Sequence, residues 1–321
     1  MSKDYLPYTT LDVFTAERLQ GNQLAVVEVG SRSLSPEQKL KITREFNFSE
    51  TVFLHEVEQP GQKCRIEIFT LTGELDFAGH PVIGSGHYLF KNKLAVEGGG
   101  DAQLDGQHAT LITKSGPVTI QYDRANQTVT ANIPHNVHVH SHKIARDQIL
   151  STQPHLKLVA ETSNMKDEYP MTSIVKGVTF ALIDLTDVPS LITQLKRGDS
   201  PQVQMDETWL PSFIGCMYYR RVSSDSSSSP SVEHLHVRMI AIGLEDPACG
   251  SGSSALAAYL SLQKGDKNGK YVYRIDQGLE MGRRSHIIVN VQLDDQGTGI
   301  ASIALTGQAA FTMEGKLFLT G

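Results

Sequence analysis

The sequence predicts an α+β fold in two pseudo-symmetric halves, each a largely antiparallel sheet curled around a central helix. Three observations predict it. First, residues 65–89, RIEIFTLTGELDFAGHPVIGSGHYL, recur in register as residues 236–260, HVRMIAIGLEDPACGSGSSALAAYL. Sliding the chain by 171 positions carries Gly79 onto Gly250, pairs Glu74 with Glu245, Tyr88 with Tyr259 and Leu89 with Leu260, and matches Ile66, Ile68, Phe69 and Leu71 with Val237, Met239, Ile240 and Ile242. Such self-similarity marks a duplicated module. Second, short β-rich runs follow one another with few helices between, a pattern of antiparallel sheets rather than a βαβ ladder. Third, the two duplicated Gly/Ala/Ser-rich segments carry few charges, and a helix that is small or apolar on most faces is a buried one.

In chain order, LDVFTA and QLAVVEV read as strands, and Ser35-Pro36 starts a helix over 37–46. RIEIFTL is the strand of the first copy; an acidic, Gly-containing turn follows it, then a helix over 81–92. TLITKSGPVTIQYD and QTVTANIP continue the strand pattern, which gives way to HNVHVHSHKI across 129–145. The break between halves is expected there. The first half is residues 1–130, completed by the C-terminal segment 309–321, and the second is residues 131–308. The second half contains GVTFALIDL, a helix over 188–197, HLHVRMIAI, a helix over 251–264, SHIIVNVQL and SIALTGQAAF. Residues 223–231, SSDSSSSPS, read as a floppy hairpin insertion, because the repeat resumes immediately after them.

With 321 residues and 40% hydrophobic content the chain can bury the cores of two ordinary domains. A net charge of -6 without a Lys/Arg run gives no electrostatic footprint for nucleic acid or an anionic membrane. The expected partner is a small molecule. The start, MSKDYLPYTTLDVF, lacks the features of a signal peptide, and no apolar run approaches bilayer length, so a cytoplasmic location is expected. Cys64, Cys216 and Cys249 are too scattered for a disulfide framework or a CxxC metal site. The sequons at Asn47 and Asn126 are chance matches in that setting.

Each copy of the repeat presents a helix N-terminus just after a strand. Backbone N–H groups without intrahelical partners and the positive end of the helix dipole make such a terminus an anion site, so two facing copies are expected to hold one small acid between them. Gly79-His80-Pro81 and Asp246-Pro247 occupy the corresponding turns. Alone, His80 reads as a cap of its own turn and Asp246 as a helix-start element; their matched placement favours a common cleft. His138, His140 and His142 alternate, so on a strand their rings share a face suited to zinc. No Cys or carboxylate stands near them at metal-site spacing, so neither metal nor cofactor is expected. Gly250-Ser-Gly252-Ser-Ser-Ala255 fits a loose dinucleotide fingerprint, but EDPACG separates it from the strand, and helix packing explains the small residues better.

LDVFTAERLQGNQLAVV, FNFSETVFL, FTLTGELDFAGHPVIGSGHYL, EDPACGSGSSALAAYL, QGLEMGRRS and LTGQAAFTMEGKL, in this order, resemble the PhzF-like family, named for phenazine biosynthesis, which shares its fold with diaminopimelate epimerase. The resemblance spans essentially the whole chain. It implies a cofactor-independent isomerase, a homodimer, with its active site in the cleft between halves; in founding members trans-2,3-dihydro-3-hydroxyanthranilic acid is isomerised by moving a proton. By resemblance, Glu50 removes a proton from carbon and returns it elsewhere on the substrate, a small carboxylic acid, cyclic in those members. A carboxylate base of this kind works in a dry pocket that raises its pKa, and Phe46, Phe48, Val52 and Phe53 are the candidate surround. His80 and Asp246 are implied to position the substrate and shuttle the proton, while Ser49 and the backbone around Gly79, Gly250 and Ser251 hold its carboxylate. Racemases of this fold use one thiol from each half; here the repeat aligns Cys249 with Ala78. Cys249 is therefore either a second base or a small packing residue. The alternatives are a one-thiol epimerase using Cys249 with Glu50, and a binding protein that keeps the fold without turnover.

Overall fold

The structure, a computed structural model, describes residues 5–58, 62–94, 107–158, 164–225 and 230–319. The chain divides into two compact units, Met1–Ile133 with Leu305–Gly321, and Pro134–Ala304.

The first unit contains β1 (Tyr5–Val13), β2 (Asn22–Gly30), α1 (Pro36–Phe46), β3 (Glu50–Glu58), β4 (Lys63–Thr70), β5 (Glu74–Leu75), α2 (Gly79–Leu89), β6 (His108–Thr113), β7 (Gly116–Asp123) and β8 (Thr128–Asn132). The C-terminal strand, Ala309–Phe318, returns to pair with β1. The helix α1 starts where the sequence signals it: Ser35 and Gln38 form a reciprocal capping box with Pro36 in the first turn, and Asn47 ends the helix in the left-handed region. It covers one sheet face, burying Ile42 against Leu6, Val27, Val29, Phe53 and Phe69.

On the opposite face lies α2, in contact with β1, β2, β3, β7, β8 and the C-terminal strand. All eleven of its residues are buried, which is what a strand layer wrapped around a helix requires. Two of its glycines are steric necessities: a Cβ on Gly84 would stand 2.4 Å from Leu24 Cδ2 and 2.9 Å from Val13 Cγ2, and one on Gly86 would stand 2.8 Å from Val129 Cγ1. The helix continues into a single wide turn over Phe90–Leu94.

The second unit contains β9 (His138–Ala145), α3 (Arg146–Thr152), β10 (Glu168–Val175), β11 (Val178–Asp184), β12 (Phe213–Asp225), β13 (Ser231–Ala241), β14 (Leu244–Asp246), α4 (Gly250–Leu262), β15 (Lys270–Gln277) and β16 (Ser285–Leu293). The strand β17 (Ile300–Gly307) precedes β18, the C-terminal strand of the first unit. Here α4 is the buried central helix, in contact with β10, β11, β12, β15 and β16. A Cβ on Gly252 would stand 2.4 Å from Met217 Sδ.

The duplication extends to hydrogen-bond register. Ile68 pairs with Leu75 and Phe69 with Glu74 across β4 and β5; Met239 pairs with Asp246 and Ile240 with Glu245 across β13 and β14. Each pair maps onto the other under the 171-residue offset. Neighbouring strands pair mostly antiparallel, as expected, with parallel pairs β2–β3, β4–β6, β11–β12 and β13–β15 where the chain crosses over.

Several elements differ from the sequence reading. The helix expected over 188–197 is a 3₁₀ segment, Pro189–Gln194, and α3 was not anticipated. The strands β3, β9, β10 and β15 carry polar residues at many positions and did not stand out from sequence alone. Of the Ser-rich patch 223–231, residues 223–225 extend β12 and Ser231 opens β13, while 226–229 lie outside the described residues. Among the described residues no helix is long and apolar enough to cross a membrane.

Candidate active site

Glu50 is the first residue of β3, placed one residue beyond the segment that follows the left-handed cap of α1. Side chains alternate along a strand, and parallel partners share a face, so Glu50 lies on the face of Leu24 and Val52, turned toward α2. Phe53, on the opposite face, belongs to the layer under α1, and Phe46 packs there too. The apolar surround expected from Phe46 and Phe53 is thus corrected: strand alternation sends them to the other side, and the α2 face supplies the burial.

That burial has an electrostatic consequence. Desolvation disfavours the ionised carboxylate and raises the Glu50 pKa from its ordinary value to about 6, with a hydrogen bond from the Ser49 hydroxyl partly offsetting the rise. Glu50 Oε2 stands 3.4 Å from His80 Nε2. His80 is the second residue of α2, buried, and its Nδ1 lies 3.4 Å from Asn22 Nδ2, the first residue of β2. With the Asn22 amide donating to Nδ1, the imidazole proton resides on Nε2, facing the carboxylate. The result is a buried line of three polar side chains, Asn22–His80–Glu50. Ala78, the N-cap of α2, offers no side-chain cap to the helix, so the positive end of the dipole lies beside this line. Gly79 is buried and Ser49 is exposed.

The second unit builds a different turn at the equivalent place. The Asp246 carboxylate accepts from the Ala248 amide at 2.9 Å, which fixes the Asp-Pro turn. Gln277, fully buried at the end of β15, donates to the Asp246 carbonyl at 2.7 Å and accepts from the Cys249 amide at 3.2 Å. Cys249 is the N-cap of α4, its Sγ accepting from the Gly252 amide at 3.3 Å. Gly250 is buried and Ser251 half-buried in the first turn. All three cysteines are buried and none forms a disulfide.

The two turns are not chemically symmetric. Thr51 pairs with Phe69 and Cys216 with Ile240, so the repeat offset and the strand register together make Gly215 the counterpart of Glu50. A Cβ at Gly215 would stand 2.8 Å from Phe180, the counterpart of Leu24. One unit therefore carries a carboxylate where the other has no room for a side chain. Sequence reasoning missed Asn22 and Gln277, although both sit in stretches it singled out. An amide followed by or following glycine at a strand end, Gly21-Asn22 and Gln277-Gly278, was the available signal.

Paired halves of this build, each a sheet around a buried helix, define the class of epimerase-like isomerase folds. A family model described as phenazine biosynthesis-like protein matches residues 11–315, and the chain belongs to that family. Along 99% of both chains it is 32% identical to an uncharacterized isomerase of Mesorhizobium japonicum. It is 26% identical to the trans-2,3-dihydro-3-hydroxyanthranilate isomerase of Pseudomonas aeruginosa, over 97% of this chain and 99% of that one. The crystal structure of a PhzF-family phenazine biosynthesis protein of Bacillus anthracis superposes with a TM-score of 0.70 at 19% identity, covering 98% of this chain and 99% of that one. The chain is an enzyme of the isomerase class.

Proposed function

We propose that this isomerase moves a proton between carbon atoms of a small carboxylic acid, with Glu50 as the base that removes the proton and returns it. The observation that carries the reading is a buried carboxylate whose pKa is raised to about 6, 3.4 Å from an imidazole held by a buried amide. A base whose pKa lies near working pH is ionised enough to accept a proton and basic enough to hold it. His80 Nε2, 3.4 Å from Glu50 Oε2, is the polar neighbour nearest to hand for the carboxylate between the two transfers. The side-chain-uncapped N-terminus of α2 is suited to the substrate's carboxylate.

By the family resemblance, Asp246 is assigned as a substrate-positioning and proton-shuttling group, with Ser251 and the Gly250 amide as carboxylate contacts. The overall change is a proton leaving one carbon, a double bond shifting, and the proton arriving at another carbon. No electrons are gained or lost, so the chemistry calls for no redox cofactor. A cyclic dihydro-hydroxyanthranilate, the substrate in the name of the Pseudomonas relative, is the first compound to try. The protein acts as a cytoplasmic homodimer in this reading, which light scattering of the purified chain tests.

Cys249 keeps a second reading open, a one-thiol epimerase, because its sulfur stands at the N-terminus of α4. Its use as the N-cap acceptor favours the packing role. The deciding experiment is exchange in deuterated water with a panel of small carboxylic acids, read by NMR. Deuterium incorporation lost in Glu50→Gln and retained in Cys249→Ser supports the proposal. Loss in both variants favours the epimerase, and binding without exchange in the parent protein favours a non-catalytic member.

A further inference from the structure

The histidine tract 138–142, set aside on sequence grounds for want of a carboxylate, acquires one in three dimensions. Asp206, 64 or more positions away in sequence, lies against it: its Oδ2 is 2.6 Å from His138 Nε2 and 3.7 Å from His140 Nδ1, and its Oδ1 is 3.2 Å from His142 Nδ1. One ligand atom each from His138, His140 and Asp206 fall within 4.8 Å of one another. All four of these residues belong to the second unit, whereas Glu50 and His80 belong to the first.

The tract is also shaped for this. Pairing of β9 with β10 slips between Pro170 and Thr172, so that Lys143 is opposite Pro170 and Val139 opposite Thr172. Residues 140–142 bulge out of the ladder, and bulges re-aim side chains. His140 has a completely buried side chain. Its Nε2 is anchored on Ser173 Oγ at 2.8 Å, and Ser173 is itself tied to Thr179 and, through it, to Ser212. Its other nitrogen, Nδ1, is buried, has no hydrogen-bond partner and is turned to the Asp206 carboxylate. His138 is fixed by stacking on Trp209, with ring centroids 4.6 Å apart and planes 6° from parallel. An imidazole whose rear nitrogen is held by a hydroxyl and whose front nitrogen faces a carboxylate is the arrangement of a metal-binding histidine with its supporting shell.

We propose that His138, His140 and Asp206, with His142 as the outer donor, bind a divalent transition metal of the zinc type and so clamp β9 to the segment carrying Asp206 and Trp209. Imidazole nitrogens with one carboxylate oxygen suit zinc, whose tetrahedral site takes four such donors. A bound ion would replace the hydrogen bond between His138 and Asp206. The site shares no residue with the proposed proton-transfer set Glu50, His80 and Asp246, so its occupancy is testable without any substrate.

The test uses the full, untagged chain stripped with a chelator and then titrated with zinc chloride by calorimetry, and with cobalt(II) by visible absorption. One zinc per chain and tetrahedral cobalt bands are expected. Ser173→Ala removes the hydroxyl behind His140, and with it the bond to Thr179, without changing a proposed ligand, and is expected to weaken zinc binding by roughly 10–100-fold, as loss of such supporting partners does. Asp206→Asn is expected to weaken it at least as much, and Glu50→Gln not at all. Absence of stoichiometric zinc and of cobalt bands in the parent protein overturns the proposal, whether or not the variants fold. Parent-level affinity in a folded Asp206→Asn protein overturns it too, by sending the metal elsewhere.

Discussion

Glu50 and His80 lie 30 residues apart in sequence, yet Glu50 Oε2 and His80 Nε2 stand 3.4 Å from each other inside the first unit. The first opens a strand and the second lies in the first turn of a helix, and the two meet because α2 packs on the face of β3 that carries Glu50. Burial then makes the carboxylate a weaker acid than usual.

Activity should therefore follow the ionisation of Glu50. A base works only when deprotonated, so kcat/KM is expected to rise with pH through an apparent pKa near 6 and to level off above it. A pH–rate profile on whichever acid shows exchange checks this. A rising limb near the ordinary glutamate value would remove Glu50 as the base.

Stability should move the opposite way. The folded-state pKa, about 6, exceeds the ordinary 4.5, so the folded protein binds this proton more tightly than the unfolded chain does. Ionising Glu50 thus costs the fold about 2 kcal/mol, a penalty absent below about pH 4.5 and complete above about pH 6. Glu50→Gln is expected to stabilise the protein by that amount at pH 8 and by little at pH 4, while lowering turnover by about 10²–10⁴-fold. Denaturant melts of both proteins at the two pH values measure the difference.

His80 and Asn22 should act through the carboxylate. Replacing His80 by Leu puts an apolar group 3.4 Å from where the carboxylate ionises and desolvates it further, so the rising limb is expected to shift above 6 as turnover falls. Asn22→Leu leaves the imidazole in place but frees its tautomer, and a smaller loss of kcat with little change in KM is expected. An unchanged pH profile in His80→Leu would argue that the ring only packs.

The central helices should reject added volume. Gly84→Ala drives a methyl into Leu24 and Val13, and Gly252→Ala drives one into Met217. Both are expected to destabilise by about 1–3 kcal/mol despite the better helix propensity of alanine, because an overfull core must shift. Chemical denaturation of each variant reads the cost; an increase in stability would mean that the neighbours yield freely.

Much of this protein was legible as sequence. The duplicated segment carried its own register: identical spacing of apolar residues and turn must give identical strand pairing, and Ile68–Leu75 recurs as Met239–Asp246. The small residues of both helices announced burial, and Ser35-Pro36 with Gln38 announced a helix start. These features depend on neighbours a few positions away, and local periodicity records such neighbours. The meeting of Asn22 with His80 and Glu50, the bridging of Asp246 and Cys249 by Gln277, and the arrival of Asp206 at the histidine tract depend on which strands lie side by side. So does the fact that Glu50 faces α2 while Phe53 faces α1, since a strand shows two faces and the sheet decides which one a helix covers. Those contacts are set by packing across the chain, and the desolvation that turns a plain glutamate into a base near neutrality exists only once that packing is complete.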